Sequence, residues 1–391
     1  DEILFQAFSQ GGRSLVATAD LPSAVLATDV VELGGLADMS ATDLQKALTG
    51  KRVSVSPTIG AYSEGVNGSS TVKDLETLLQ LNYLYFTAPR RDEEAFQTLM
   101  SILDSQLANR DKNPKVAWSD SVQMMASNYS DRTMILNKEL LTKVSLDKAL
   151  EVYKARFANP ADFTFFFVGN VDPADKAFQA QVCTWLGGLK TSKKLEKAAD
   201  DKVRVATGVQ KNYFTRPMET KTASNRIQYT SYDMPYTLAN DLNMEMIGRI
   251  LSTRYLESIR EREGGSYGVG CAGWMNRHPV HYAQLIMQFD TDPEKQNKLM
   301  SIIHEEVKTI VENGPLAKDL QKEKESMLKD FEEDLEKNGY WNTVLSMYYK
   351  NGINYITDYK AAVEAITAET VQATLKKLTE SGNVFEVVML P

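Results

Sequence analysis

Residues 144–157, VSLDKALEVYKARF, and the stretch DFTFFFVG at residues 162–169 decide the fold of this chain. The first has the spacing of an amphipathic helix, and the second is a short apolar run typical of a buried strand. The same order returns as ITAETVQATLKKL, residues 366–378, followed by NVFEVVML at residues 383–390. A helix and a buried strand therefore close each of two similar halves.

Two further pairs of segments extend this internal similarity. The opening stretch ILFQAF, residues 3–8, resembles RIQYTSY at residues 226–232, and QTLMSIL at residues 97–103 resembles NKLMSII at residues 297–303. The segments keep the same order in both halves, which is the signature of a repeated unit. We therefore expect two homologous domains.

The predicted domains span residues 1–190 and 212–391, and the charged stretch at residues 191–211 is the predicted linker. Strands followed by runs of helices indicate an α+β fold, in which helices pack on a mainly antiparallel sheet. In the first domain, Ser40 is a candidate helix N-cap and Gly50 a candidate C-terminal stop before the strand KRVSVSP. The chain opens on a strand-like pattern, so we expect it to be part of a longer protein.

Composition limits the possible functions. The chain has 391 residues, 43% of them apolar, and a formal net charge of -8. This charge argues against nucleic acid as the main partner, because phosphate binding needs a basic surface. The longest apolar run, FTFFFVG, is far shorter than the roughly 20 residues that span a bilayer, so no membrane span is predicted. Cys183 and Cys271 are expected to be buried thiols.

The stretch LESIREREGGSYGVG, residues 256–270, combines a charged helix, a stop and an extended segment. Gly264 and Gly265 provide the stop, because a helix commonly ends in a left-handed conformation that suits glycine. Arg260 and Tyr267 lie seven residues apart across this break. A solvated helix end and a half-buried strand tyrosine would explain both residues without any function.

This stretch resembles the Arg-x6-Tyr element of the pitrilysin- and insulysin-type zinc peptidases, the inverzincins, whose superfamily includes the mitochondrial processing peptidase. The resemblance covers nearly the whole chain, including ELGGLADMSATDLQKALTGKRVSVSPTI, FTFFFVGNVDP and LNMEMIGRILSTRYLESIREREGGSYGVG. The chain is most similar to the third and fourth domains of the long bacterial members, which form their C-terminal half. The resemblance implies the metallopeptidase fold of that superfamily for both domains.

The resemblance also implies a function. In this family two halves close around a peptide, and the N-terminal half binds zinc through an HxxEH motif. This chain would be the other half of a zinc metalloendopeptidase, inactive alone, with the N-terminal half and a peptide as partners. Arg260 would hold a substrate backbone carbonyl, and Tyr267 would hydrogen-bond the scissile carbonyl or its oxyanion. The implied compartment is the bacterial periplasm or cell envelope, with the cytoplasm as an alternative.

The histidines do not form the zinc motif. An HxxEH site needs two histidines four residues apart on one helical face with a carboxylate between them. The chain has three histidines: His278 and His281 are three residues apart with Pro279 between them, and His304 has no second histidine nearby. We therefore expect this chain to bind no metal and no other cofactor, and we expect the other half to hold the zinc.

Some alternatives stay open. Arg262 could replace Arg260, but on an α-helix the two side chains would point about 200° apart, and only Arg260 has the family spacing to Tyr267. The chain could also be a separate non-catalytic subunit that pairs with an HxxEH-bearing partner. A purely structural homologue is the third possibility, and such a protein would not need an arginine and tyrosine pair.

Overall fold

The computed structural model describes residues 2–192, 195–266 and 268–391, with the side chain of Asp111 left out. Contacts between the residues divide the chain into two compact units. The first unit holds residues up to 109, residues 134–201 and residues 337–350, and the second holds residues 110–133, 202–336 and 351–391. The domain division predicted at residues 190 and 212 stays a prediction.

The strands and helices are numbered in chain order. The strands are β1 (Glu2–Gln10), β2 (Val53–Ile59), β3 (Ser63–Thr71), β4 (Thr164–Gly169), β5 (Val209–Thr215), β6 (Ala223–Ser231), β7 (Gly270–Asn276), β8 (Tyr282–Thr291) and β9 (Val384–Leu390). The helices are α1 (Leu21–Val25), α2 (Ala27–Gly34), α3 (Ala41–Ala47), α4 (Leu75–Thr87), α5 (Glu93–Ala108), α6 (Pro114–Ala126), α7 (Lys138–Leu141), α8 (Leu146–Arg156), α9 (Lys176–Trp185), α10 (Leu238–Tyr255), α11 (Gln296–Asn313), α12 (Ala317–Asp334), α13 (Asn338–Asn351), α14 (Tyr359–Glu364) and α15 (Ala368–Glu380).

The first unit contains an antiparallel sheet in the order β2-β3-β1-β4. Alternate residues of β1 enter one core, as the two-residue period of a strand requires. Ile3 and Phe5 of β1 lie in this core with Leu78 and Leu79 of α4 and Tyr153 of α8. Each of these five side chains is almost completely buried, so the helices cover this face of the sheet.

The second unit contains a sheet in the order β5-β9-β6-β8-β7, in which β5 runs parallel to β9 and the other neighbours are antiparallel. The order β9-β6-β8-β7 repeats the order β4-β1-β3-β2 of the first unit, strand for strand along the chain. The predicted α+β fold, with two similar units that each carry a mainly antiparallel sheet, is therefore confirmed.

The helix and strand that close each half are also as predicted. α8 precedes β4 and α15 precedes β9. Side-chain oxygens cap both helices: the Ser145 hydroxyl accepts from the Lys148 N–H at 3.4 Å, and the Thr367 hydroxyl accepts from the Thr370 N–H at 3.3 Å. These caps satisfy backbone donors that the first helical turn leaves unpaired.

One predicted correspondence between the halves is wrong. α4 is the first α-helix after β3, and α11 is the first after β8, so α11 corresponds to α4. The matched residues 97–103 instead lie in α5, whereas residues 297–303 lie in α11. Apolar residues at helical spacing recur in any amphipathic helix, which explains why this short match misled.

Part of the predicted linker is attached to the first unit. The Glu196 carboxylate pairs with the buried Arg156 guanidinium at 2.9 Å, and the Ala199 N–H donates to the Ser14 hydroxyl at 2.9 Å. The linker was also predicted to run to residue 211, but β5 begins at Val209. Charge and missing periodicity thus indicated a connecting segment without indicating that it would be fixed in place.

The two cysteines were both expected to be buried, and neither is fully buried. Cys183 is exposed, and Cys271 is half-buried. Burial raises the pKa of the Cys271 thiol.

No described helix has both the length and the apolar character that crossing a membrane requires.

Candidate functional site

Arg260 lies in a π-helical segment, Leu256–Glu261, that continues α10 without a break. The backbone bond from the Arg262 N–H to the Glu257 carbonyl, 3.2 Å, has the five-residue separation of a π-helix. The Ser258 hydroxyl donates to the Arg254 carbonyl at 2.8 Å and so competes with the main chain for this acceptor. The sequence predicted an ordinary charged helix here. Single π turns of this kind are rare and are often found at functional sites.

Gly264 ends this segment, as predicted. Its φ is 54°, its N–H donates to the Arg260 carbonyl at 3.1 Å, and the Gly265 N–H donates to the Ile259 carbonyl at 3.1 Å. No atom lies within 4 Å of a Cβ built on Gly264, so its backbone conformation, and not lack of space, requires glycine.

The Arg260 side chain is exposed, while Ser258 and Ile259 are buried. Among the residues that the structure describes, the Arg260 guanidinium has no hydrogen bond and no ion pair. Arg254, six residues earlier, pairs instead with Glu257 at 2.9 Å and Glu306 at 3.2 Å. Arg260 is therefore available to a ligand, in contrast to Arg254.

Arg262 is exposed as well, and it has no ion pair within the described part of the chain. It lies in the turn after the π-helical segment, so the angle of about 200° expected for an α-helix does not apply. The direction of the side chains therefore gives no reason to choose between Arg260 and Arg262. The spacing to Tyr267 is still the reason to prefer Arg260.

Tyr267 lies outside the described residues, but Gly265 and Ser266 before it form hydrogen bonds with the end of β8. The Ser266 hydroxyl donates to the Asp290 carbonyl at 2.7 Å and to the Gly268 carbonyl at 3.0 Å. The Thr291 hydroxyl donates to the Gly265 carbonyl. Because β7 begins only at Gly270, the predicted strand starts later than the sequence pattern indicated.

The same loop is also held by α11 and the turn before it. Lys298 pairs with the Glu263 carboxylate at 2.5 Å, and the Lys295 ammonium donates to the Glu263 and Gly264 carbonyls at 3.2 Å. A Cβ on Gly265 would lie 2.7 Å from the Leu299 side chain, so this second glycine allows a close approach to α11. The loop is thus held by contacts to two elements before any ligand binds. A ligand would therefore lose less free energy in ordering the loop.

The histidines do not fit a zinc site. His278 and His281 lie in the hairpin between β7 and β8. His304 of α11 has both ring nitrogens engaged, Nδ1 with the Tyr229 hydroxyl at 2.7 Å and Nε2 with the Glu386 carboxylate at 2.7 Å. Within the described ranges, no group of three or more His, Cys, Asp or Glu side chains could hold a metal ion.

The pairing of His304 with Glu386 was not predicted from the sequence. The carboxylate also accepts from the Tyr213 hydroxyl and pairs with Lys211 at 3.2 Å. The signal was present in NVFEVVML, where one carboxylate interrupts an apolar strand. A buried carboxylate needs partners, but the sequence does not say which residues these are.

Comparison with known proteins places this loop within a recognised domain. Residues 143–327 match the family described as Peptidase M16 inactive domain. The chain is homologous to the M16, or pitrilysin-type, peptidases. The matched region includes Arg260 and its loop, and it confirms the predicted resemblance.

Two curated zinc proteases are similar to this chain over most of its length. The zinc protease PQQL-like of Arabidopsis thaliana is 24% identical over 409 residues, which cover 97% of this chain and 39% of that protein. The probable zinc protease PqqL of Escherichia coli K12 is 21% identical over 375 residues, which cover 94% of this chain and 39% of that protein. The chain thus spans about two fifths of the length of these relatives.

The crystal structure of the periplasmic protease PqqL from Escherichia coli shares the fold. It superposes with a TM-score of 0.85 at 18% identity and covers 100% of this chain and 43% of that one. The fold identified from the sequence is therefore also found in a solved protease.

Proposed function

We propose that this chain is the substrate-binding, non-metal-binding half of a zinc metalloendopeptidase that hydrolyses peptides in a closed chamber. The match to an inactive M16 domain and the similarity to longer zinc proteases support this proposal. The observation that carries it is the exposed Arg260 guanidinium, seven residues before Tyr267, with no partner in the described part of the chain. A purely structural homologue would not need to keep this arginine and tyrosine pair.

In the proposed mechanism, Arg260 and Tyr267 act on the peptide backbone. The Arg260 guanidinium is a permanently charged donor and would hold a backbone carbonyl of the substrate. The Tyr267 hydroxyl would donate to the scissile carbonyl and then to its oxyanion, where donors are worth most because charge develops there. Zinc, held by the HxxEH-bearing half, would supply a polarised carbonyl and an activated water.

The loop anchors support a positioning role. Ser266 is held by the Asp290 carbonyl, and Lys295 holds the carbonyls of Glu263 and Gly264. A donor that is fixed before the substrate binds contributes more to catalysis than one that must first be ordered. These contacts would therefore keep the residues beside Tyr267 in place while the peptide enters.

Activity of the assembled enzyme, with both halves present, tests this function. We expect Arg260→Ala and Tyr267→Phe each to lower kcat/KM for peptide cleavage by about 10² to 10³, the usual cost of one oxyanion donor. Arg262→Ala is the matched control and should stay near the wild-type value. Unchanged activity in both test variants would favour the structural homologue, and a loss in Arg262→Ala alone would transfer the role to that residue.

The partner of this chain is part of the same proposal. The curated relatives are longer than the matched region, which favours a catalytic half on the same polypeptide over a separate subunit. The coding sequence upstream of Asp1 decides between the two arrangements, because it either continues into an HxxEH motif or does not. The Escherichia coli relative is described as periplasmic, and we extend that compartment to this protein.

A further inference from the structure

A cleft of about 640 Å³ in the second unit has a strongly basic lining. The lining residues are Arg204, Tyr232, Arg277, His278, Pro279, Val280 and His281. They supply two guanidiniums, two imidazoles and a phenol, and none of them is acidic. The chain as a whole has a net charge of -8, so this composition is the opposite of the average surface.

Arg204 is held in position at one side of the cleft. Its guanidinium lies 5.5 Å from the centre of the Tyr232 ring and donates to the Val203 carbonyl at 2.8 Å. The Tyr232 hydroxyl in turn accepts from the Val205 N–H at 3.1 Å, which fixes the segment that carries Arg204. A guanidinium stacked on an aromatic ring is pre-oriented, so a ligand would pay less to order it.

Arg277 approaches from the hairpin between β7 and β8. Its Nη1 atom lies 3.2 Å from the position of a Cβ built on Gly352, so glycine leaves room for the guanidinium. Within the described ranges, no carboxylate lies within ion-pair distance of Arg277. Its guanidinium therefore forms no ion pair with the described residues.

Pairing within the sheet brings these separate residues together. Ser231 lies opposite Ala283 in the β6–β8 ladder, so Tyr232 leaves β6 beside the start of β8, where His281 precedes the strand. His281 Nδ1 lies 3.5 Å from the Tyr236 N–H, which leaves its Nε2 atom for a ligand. The basic groups therefore converge from the segment before β5, from the end of β6 and from the hairpin.

We propose that this cleft binds an oxyanion ligand, either the carboxylates of an acidic peptide or phosphate groups. Two arginine forks suit the paired oxygens of carboxylates and phosphates, and the volume lies within the usual range for ligand clefts. The proposal is independent of the peptidase function, because it uses none of the loop residues.

Isothermal titration of the 391-residue chain at low salt tests the proposal. The probes are pyrophosphate and a tetraglutamate peptide, and a tetraglutamine peptide is the uncharged control. We expect at least one anionic probe to bind, and we expect Arg277→Gln to weaken it at least tenfold, since one charge-assisted contact is lost. Arg216→Gln is the matched control, because it removes an exposed guanidinium of the same unit outside the cleft.

The outcomes separate the sources of the ligand. Binding of both anions supports a general oxyanion site, binding of pyrophosphate alone supports a phosphate ligand, and binding of tetraglutamate alone supports an acidic peptide. The proposal is overturned if no anion binds, if tetraglutamine binds equally well, or if Arg216→Gln weakens binding as much as Arg277→Gln. Thermal melting checks each variant, and Arg277→Lys, which keeps the charge but not the fork, serves if Arg277→Gln does not fold.

Discussion

Glu386 is a buried carboxylate whose ionisation depends on three neighbours. Burial by itself would raise its pKa, but hydrogen bonds from His304, Tyr213 and Lys211 outweigh burial and lower the pKa from 4.5 to about 2. The charged form is therefore the one that the folded protein stabilises. The Tyr229 hydroxyl completes the arrangement through the other nitrogen of His304.

This arrangement predicts a specific acid sensitivity. Because the folded pKa is below the ordinary value, the stabilisation is fully present above about pH 4.5 and is lost as the pH falls toward 2. We expect Glu386→Gln to lower the free energy of unfolding at pH 7 by on the order of 3 kcal/mol. Between pH 4.5 and 2, the free energy of unfolding of the wild type should fall partly because Glu386 becomes protonated. The variant has no carboxylate at this position, so its free energy of unfolding should fall less over the same range. Urea denaturation across this pH range measures both effects.

Glu305→Gln is the control for this substitution, because Glu305 is an exposed carboxylate next to His304. It should leave the free energy of unfolding within about 0.5 kcal/mol of the wild type. If Glu386→Gln and the wild type lost stability equally over the acid range, the three hydrogen bonds would not control the ionisation of Glu386.

Among the elements, the turn between the π-helical segment and β7 depends on one backbone conformation. Gly264 has a φ of 54°, where an L-amino acid with a Cβ is strained. We expect Gly264→Ala to lower the free energy of unfolding by about 1 kcal/mol. Alanine reduces the conformational entropy of the unfolded chain, which favours folding, but its backbone strain at this φ in the folded state is the larger effect. Gly339→Ala in α13 is the comparison: there φ is not positive and the space is open, so alanine should be neutral or stabilising. Equal stability of Gly264→Ala and the wild type in urea would contradict the left-handed turn.

Most of the elements could be predicted from the sequence, because periodicity and caps are local signals. The Ser40 cap of α3 is present, with the Asp43 N–H donating to its hydroxyl at 3.2 Å, and Gly50 has a φ of 82° before β2. The π-helical segment was not predictable, since the same residues satisfy the spacing of an α-helix. The parallel pairing of β5 with β9 joins residues far apart in the chain, and alternation within a strand does not select its partner.

The two candidate sites differ in the same way. Arg260 and Tyr267 are close in sequence, so spacing and resemblance could name them. Arg204 and Arg277 are brought to one cleft by the β6–β8 pairing together with the hydrogen bond from Val205 to Tyr232, so nothing in their local sequence marks them. A site that depends on sheet topology becomes visible only when the topology is known.

At the scale of the whole molecule, comparing the two repeated units shows which features of the Arg260 loop come from the shared fold and which do not. Both units place a helix end, a glycine with positive φ and a strand in the same order, through Gly50 in the first and Gly264 in the second. The duplication therefore explains the glycines. It does not explain the exposed arginine, because α3 of the first unit ends near Lys46 and is followed by β2 without a matching arginine and tyrosine pair.

The isolated chain should bind zinc only in amounts well below one ion per chain, and it should cleave no peptide. Tetrahedral protein zinc sites need several nitrogen, sulfur or carboxylate ligands that converge, and the histidines do not provide them. His278 and His281 belong to a hairpin, and both nitrogens of His304 are engaged by Tyr229 and Glu386. Elemental analysis after dialysis measures the metal, and a quenched peptide measures cleavage. When the HxxEH-bearing half is added, the mixture should bind zinc and cleave the peptide. One tightly bound zinc in the isolated chain would instead show that it carries a metal site of its own.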